Sequence, residues 1–214
     1  MMKPLIAMAV GLGLIVGGQA HAEDTWVAGK NYFVIEPTQA TTTGDKIEVV
    51  EVFSYACPHC NEVAPMVADI KKRLPANAEF VLIPAQFGFS AWQTFAKGFY
   101  TAQALGLVEK THADLFRKIY VDHKIDIRSP SFASLADFYS NYGVSAEDFI
   151  ATSNSFAIKA KLKRNEELIK AYGVEGTPTF IINGKYRISG QSAGSYNKVE
   201  PLIHYLIDKE AKGE

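Results

Sequence analysis

The sequence predicts an α/β protein in which a β-α-β unit and a β-β-α unit are separated by a helical insertion. Three observations carry that prediction. Runs rich in β-branched and aromatic residues, as strands prefer, occupy residues 46–53, 79–83 and 179–182. From about residue 86 to 165 the chain loses that character and becomes helical and aromatic. Cys57 and Cys60, the only two cysteines among 214 residues, stand where the run at 46–53 gives way to helix-patterned sequence.

Taken in order, residues 1–22 read as a cleavable export signal. Lys3 supplies the positive start, residues 5–16 an apolar stretch, and Ala20-His21-Ala22 a small-x-small cleavage site. The apolar run is too short for a retained membrane anchor, which needs about 20 residues. The mature chain is then expected to start at Glu23 in an oxidising compartment. Loss of Lys3 leaves 21 basic against 23 acidic residues, a balance that argues against a nucleic-acid or anionic-membrane surface. With 48% apolar residues, a core can form without structural disulfides or metals.

Residues 31–36 predict a first short strand and 41–45 a turn into the strand at 46–53. A helix starting at or near Cys57 follows, its apolar residues Val63, Met66, Val67, Ile70 and Leu74 at helical spacing over 61–74, and the strand at 79–83 closes the β-α-β unit through a right-handed crossover. The insertion divides into helices at 91–105, 108–121, 131–142 and 145–153, and a long amphipathic one into Tyr172. Ser131 and Ser145 are suited to cap the third and fourth of these, and Gly106, Gly143 and Gly173 to end helices. After the strand at 179–182, Asn183-Gly184 is a strong hairpin signal into a partner strand at 185–189, and a last helix is expected over 196–209.

Four readings compete for the cysteine pair. A structural disulfide across so short a loop removes only about 2 kcal/mol of unfolded-chain entropy. A zinc site needs four ligands and has no second cysteine pair to draw on. Haem attachment needs His directly after the second cysteine, where Asn61 stands. A dithiol/disulfide redox centre fits best, with Cys57 exchanging with substrate and Cys60, shielded one turn on, resolving the mixed disulfide. Cys57 at the helix N-terminus gains from unpaired N–H groups and the macrodipole, so its thiolate is expected to be stabilised. A protonated His59 would add to that effect, and Pro58 suits the first helical turn. His112, His123 and His204 fall on helix-patterned stretches and are read as structural or solvent-facing. The aromatics of the insertion, among them Trp92, Phe95, Phe99, Tyr100, Phe116, Tyr120, Phe132, Phe138 and Tyr139, read mostly as core, with a minority expected to rim a groove for unfolded substrates.

One CxxC at the start of the first helix of this arrangement matches a thioredoxin-like fold. The run 51–60 with its CPHC, the helical insertion, and the run 176–186 with Gly176-Thr177-Pro178 together resemble the DsbA family of secreted thiol:disulfide oxidoreductases over nearly the whole mature chain. The resemblance implies a thioredoxin-like domain from residues 23–85 and 166–214, with 86–165 as the inserted helical domain. It implies a periplasmic monomer, without cofactor or metal, that donates its Cys57–Cys60 disulfide to cysteines of newly exported proteins and is reoxidised by a DsbB-like membrane partner. It also implies a cis Pro178 beside the sulfurs, Thr177 presenting its backbone to an extended substrate, and Glu51 as a buried acid concerned with proton transfer. Family members often pair that acid with a lysine on the next strand, and here Leu82 takes its place. The rival readings are a reductase or isomerase kept reduced by another partner, and a metal- or peptide-binding module on a silent thioredoxin frame.

Overall fold

The computed structural model describes residues 26–213. The expected signal segment and the start at Glu23 lie outside them. The elements are β1 (Phe33–Val34), β2 (Ile47–Phe53), α1 (Pro58–Arg73), β3 (Ala78–Pro84), α2 (Ser90–Ala104), α3 (Val108–Tyr120), α4 (Phe132–Ser140) and α5 (Ala146–Ser153). There follow α6 (Phe156–Ala171), β4 (Thr179–Ile182), β5 (Tyr186–Ser189), the one-turn α7 (Gly190–Ala193), a 3-10 turn (Tyr196–Lys198) and α8 (Val199–Ala211).

The strands form one sheet in the order β1-β5-β4-β2-β3. β2 pairs parallel with β3 and antiparallel with β4. All seven residues of β2 are buried, as its β-branched run anticipates for a strand covered on both faces. Alternation then sorts its side chains. Ile47 and Val49 pack with Val63, Val67 and Ile70 of α1 and with Leu202, Ile203 and Leu206 of α8. Val50 and Val52 point the other way, toward Ile169 and Tyr172 at the end of α6. A third cluster belongs to the insertion: Phe95 and Phe99 of α2, Leu115 and Phe116 of α3, Tyr139 of α4 and Phe149 of α5. It extends through Phe53 and Tyr55 to both cysteines, so the aromatic core of the insertion abuts the redox pair.

Local chemistry explains most boundaries. Ser131 and Ser145 cap α4 and α5 by accepting from the N–H groups of Ser134 and Asp148, and Ser155 does the same for α6. Asn183 and Gly184 both have positive φ, 53° and 64°, as a two-residue hairpin of the I′ type requires. A side chain at Gly184 would also strike the Gln39 carbonyl.

Three expectations need correction. The first strand shortens to two residues before Pro37, which has no N–H to give the ladder. The helix expected over 196–209 is preceded by α7, built on a reciprocal Ser189–Ser192 capping box, and begins as a 3-10 turn. The α-helix proper starts at Val199, where Pro201 falls in a first turn that needs no N–H from it. His123 is not helical: it lies past α3 with φ 51°.

Candidate active site

The redox pair is presented by a tight turn. Cys57 N–H donates to the Ser54 carbonyl at 3.1 Å, and Ala56 N–H donates to Ser54 Oγ at 3.1 Å. The chain leaves β2, reverses, and enters α1 with Cys57 as N-cap in extended geometry and Pro58 in the first turn, where the missing donor costs nothing. Both cysteines are free thiols. The sequence suggests that Cys60 alone is shielded, but Cys57 is only 6% exposed against 1% for Cys60. Exposure hardly separates the two sulfurs; charge does.

The Cys57 thiol is lowered to about 5. The main cause is the Cys60 thiol, which hydrogen-bonds to the Cys57 sulfur; burial opposes the shift, and Thr177 and the backbone N–H groups of Cys60 and His59 add to it. Cys60 is driven strongly upward, first by burial and then by the same bond, with the negative charge of Glu51 contributing. One proton is thus held on the inner sulfur and a negative charge on the outer one. His59 is exposed, and what it contributes to the sulfur is its backbone N–H.

Thr177 and Pro178 come from the loop between α6 and β4. Their peptide bond is cis, as is that of Glu36 and Pro37. The Cys57 thiol donates to the Thr177 carbonyl at 3.3 Å. That carbonyl can hold only the protonated sulfur. The Thr177 hydroxyl is buried without a partner, so it is the group free to donate to the thiolate.

Glu51 lies in the middle of β2, 3% exposed, on the side that faces α1. Leu82 is its register partner on β3 and Phe180 its partner on β4, so no cation meets it across the sheet. Burial, with the Cys57 charge second, raises its carboxyl to about 8. Glu51 and Cys60 both line a cavity of about 680 Å³ between α1, β3 and α3, walled largely by apolar side chains and rimmed by Lys71, Lys72 and Arg117. His112 lines it too. Burial lowers that imidazole to about 4, and its Nδ1 bonds the Tyr55 hydroxyl at 2.8 Å. His204 is on α8, 3.8 Å from Glu200. Among the described residues, no group of three or more His, Cys, Asp or Glu is placed to hold a metal.

Two tyrosines also feel the charge of the pair: Tyr120, read from the sequence with the core aromatics, and Tyr196, to which the sequence assigns no role at the site. Tyr120, at the end of α3, donates its hydroxyl to the Tyr55 carbonyl at 3.1 Å, and its own ionisation is suppressed by burial and then by the cysteine charges. Tyr196 responds to burial and to both sulfurs as well. Neither carries a local sequence signal, because each arrives from an element distant in the chain.

Comparison with known proteins agrees with this geometry. Residues 48–195 match the family described as the DSBA-like thioredoxin domain. The chain is 37% identical to a thiol:disulfide interchange protein DsbA of Pseudomonas aeruginosa, over 98% of this chain and 97% of that one. It is also 37% identical to the DsbA of Pseudomonas syringae pv. tomato, over 96% and 94%. A crystal structure of Pseudomonas aeruginosa DsbA superposes with a TM-score of 0.80, covering 88% of this chain and 96% of that one at 37% identity. The crystal structure of the oxidoreductase DsbA from Xylella fastidiosa gives 0.82 at 29% identity, covering 87% and 98%.

Proposed function

The chain belongs to the DsbA-like thioredoxin family, and from that premise we propose that this thiol:disulfide oxidoreductase works as an oxidase through Cys57 and Cys60. The observation that carries the direction is the division of charge between the sulfurs. A Cys57 thiolate stabilised to about 5 is a good leaving group, so the reduced state is favoured and the disulfide is readily given away.

In the proposed sequence a substrate thiolate attacks Cys57 Sγ of the disulfide, forming a mixed disulfide and expelling Cys60 as thiolate. Burial makes that inner thiolate costly, so it takes a proton. Glu51, holding its proton up to about 8, is the acid assigned to supply it, and it regains a proton through the cavity they share. A second substrate thiolate then attacks the substrate sulfur and releases the Cys57 thiolate. The substrate leaves oxidised by two electrons and the protein reduced. Leu82 supports this role for Glu51, since a lysine there would hold the carboxyl ionised at neutral pH. Pro58 starts the helix that stabilises Cys57, His59 adds its N–H, Pro178 limits access to the Cys57–substrate bond, and the Thr177 backbone pairs with the extended substrate.

Substrates are proteins with free thiols, and turnover needs a redox partner. The amino-terminal pattern and the family resemblance support the finer reading: a periplasmic monomer, cut after Ala22, acting on exported proteins and reoxidised by a DsbB-like membrane oxidase. Residues 86–165 are assigned as the inserted domain between the two parts of the thioredoxin-like frame.

The test is the pH dependence of alkylation in the reduced protein. Cys57 should react half-maximally near pH 5 and Cys60 not at all, and Cys57→Ser should abolish oxidation of a reduced, unfolded protein. A Cys57 profile that rises only near pH 8 to 9 would overturn the assignment.

A further inference from the structure

Thr177 and Pro178 also line a hollow of about 390 Å³ that neither cysteine lines. Thr177 belongs to both places: its carbonyl accepts from the Cys57 thiol, and the residue also lines the hollow. Much of the wall is small, with Gly173, Gly176, Ser189 and Gly190 contributing backbone and little side chain. The cation of this wall is Arg187 on β5.

Arg187 is held in place by neutral groups. Its Nη1 donates to the Tyr172 carbonyl at 3.3 Å and to the Gly173 carbonyl, which together end α6. The guanidinium carbon sits 5.4 Å from the centre of the Phe33 ring, its register partner on β1. Gly173 has φ 65°, and any side chain there would strike the guanidinium. No carboxylate pairs with Arg187 among the described residues, and its Nη2 and Nε carry no partner there. Glu175 lines the same hollow, but it is exposed and makes no ion pair with Arg187. A guanidinium fixed on one nitrogen, with its remaining donors free, is preorganised for a carboxylate.

We propose that Arg187 determines substrate specificity: it receives an acidic side chain adjoining the cysteine that this protein oxidises. The proposal rests on the oxidase reading above. An extended substrate joined to Cys57 and running along Thr177 delivers its neighbouring side chains toward this hollow. The hollow has room for a carboxylate-bearing side chain and its hydration. Glu175, on the same wall, places a second negative charge near an incoming acid.

The experiment uses the oxidised protein and three dithiol peptides that differ only in the residue beside one cysteine, which is Glu, Gln or Lys. Second-order rate constants for peptide oxidation are measured by stopped flow at low and at moderate salt. In the wild type the Glu peptide should exceed the Gln peptide by about fivefold, the scale of a partly solvated Arg–carboxylate pair, with the Lys peptide slowest and the spread shrinking with salt. The Glu-to-Gln ratio should fall to about one in Arg187→Gln, stay above one in Arg187→Lys, and rise in Glu175→Gln. Equal rates for all three peptides in the wild type, or an unchanged ratio in Arg187→Gln, would overturn the proposal. If Arg187→Gln does not fold, a ratio unchanged in both Arg187→Lys and Glu175→Gln overturns it instead. Failure to oxidise any of the peptides would remove the oxidase reading itself, whereas oxidation at equal rates removes only the role of Arg187.

Discussion

Glu48 and Glu51 stand three residues apart on β2, and both are buried, at 2% and 3% exposure. Their surroundings differ completely. Glu48 points to the face opposite Glu51, and its Oε2 accepts from the Thr42 N–H at 2.7 Å and the Thr42 hydroxyl at 2.6 Å. Glu51 faces α1 with no cation opposite it and its carboxyl opening onto the cavity that Cys60 shares. A buried carboxylate with two short donors is structural; one left without them holds its proton to about 8 and becomes a group that can give it away. Under the proposed mechanism, the difference lets one strand supply both a fastening and a proton reservoir.

The sharpest way to break this contrast is to remove the Glu51 charge. Its folded pKa is raised, so the cost of burying it is absent below about 4.5, grows as the unfolded carboxyl ionises, and is full only above about 8. At pH 7 that cost is about 3 kcal/mol. Glu51→Gln should therefore raise stability by about that amount in urea melts at pH 7 and leave it nearly unchanged at pH 4. It should also slow peptide oxidation, since the Cys60 thiolate loses its proton donor. If Glu51→Gln destabilises the protein at pH 7, Glu51 is a second fastening and the contrast collapses.

The converse change concerns Glu48. Glu48→Ala strips two donors of their acceptor on a loop that can partly rehydrate, and should cost about 2 kcal/mol with little effect on the oxidation rate. A large rate loss at unchanged stability would place Glu48 in the chemistry instead.

The contrast also marks how far the sequence could be read. The CPHC run at a strand-to-helix junction and the Thr177-Pro178 pair are local patterns whose chemistry depends on immediate neighbours, and the structure brings them within 3.3 Å of one another. The caps at Ser131 and Ser145 and the Asn183-Gly184 hairpin are legible for the same reason. What could not be read depends on contacts between distant segments. Glu48 and Glu51 look alike in sequence, and only the Thr42 loop on one face and Leu82 beside the other separate them. The burial of Cys57 follows from the insertion core closing over the helix start, Tyr120 and Tyr196 arrive from far along the chain, and the clasp of Arg187 on Gly173 joins β5 to the end of α6.

The smallest expected effect tests whether the two titrating groups of the site act against each other. Cys57 has a depressed pKa, so its contribution to the reduced fold is full above the unfolded value of about 8.5 and is lost as pH falls through about 5. At pH 7 it amounts to about 3 kcal/mol. Glu51 runs the other way over nearly the same window, costing more as pH rises. The stability of the reduced wild type should therefore change by less than about 1 kcal/mol between pH 5 and pH 7, where either group alone would move it by about 2. In Glu51→Gln the compensation is gone, and the reduced form should gain stability steeply over that range. The oxidised form has no Cys57 charge but gains about 2 kcal/mol from closing the short loop. The reduced wild type should thus melt above the oxidised one by only about 1 kcal/mol at pH 7, and below it at pH 5. Urea melts of both redox forms at these two pH values, with Glu51→Gln alongside, decide the matter. If the reduced wild type is as pH-dependent as Glu51→Gln, the carboxyl is not titrating in this window, and the proton for Cys60 comes from elsewhere.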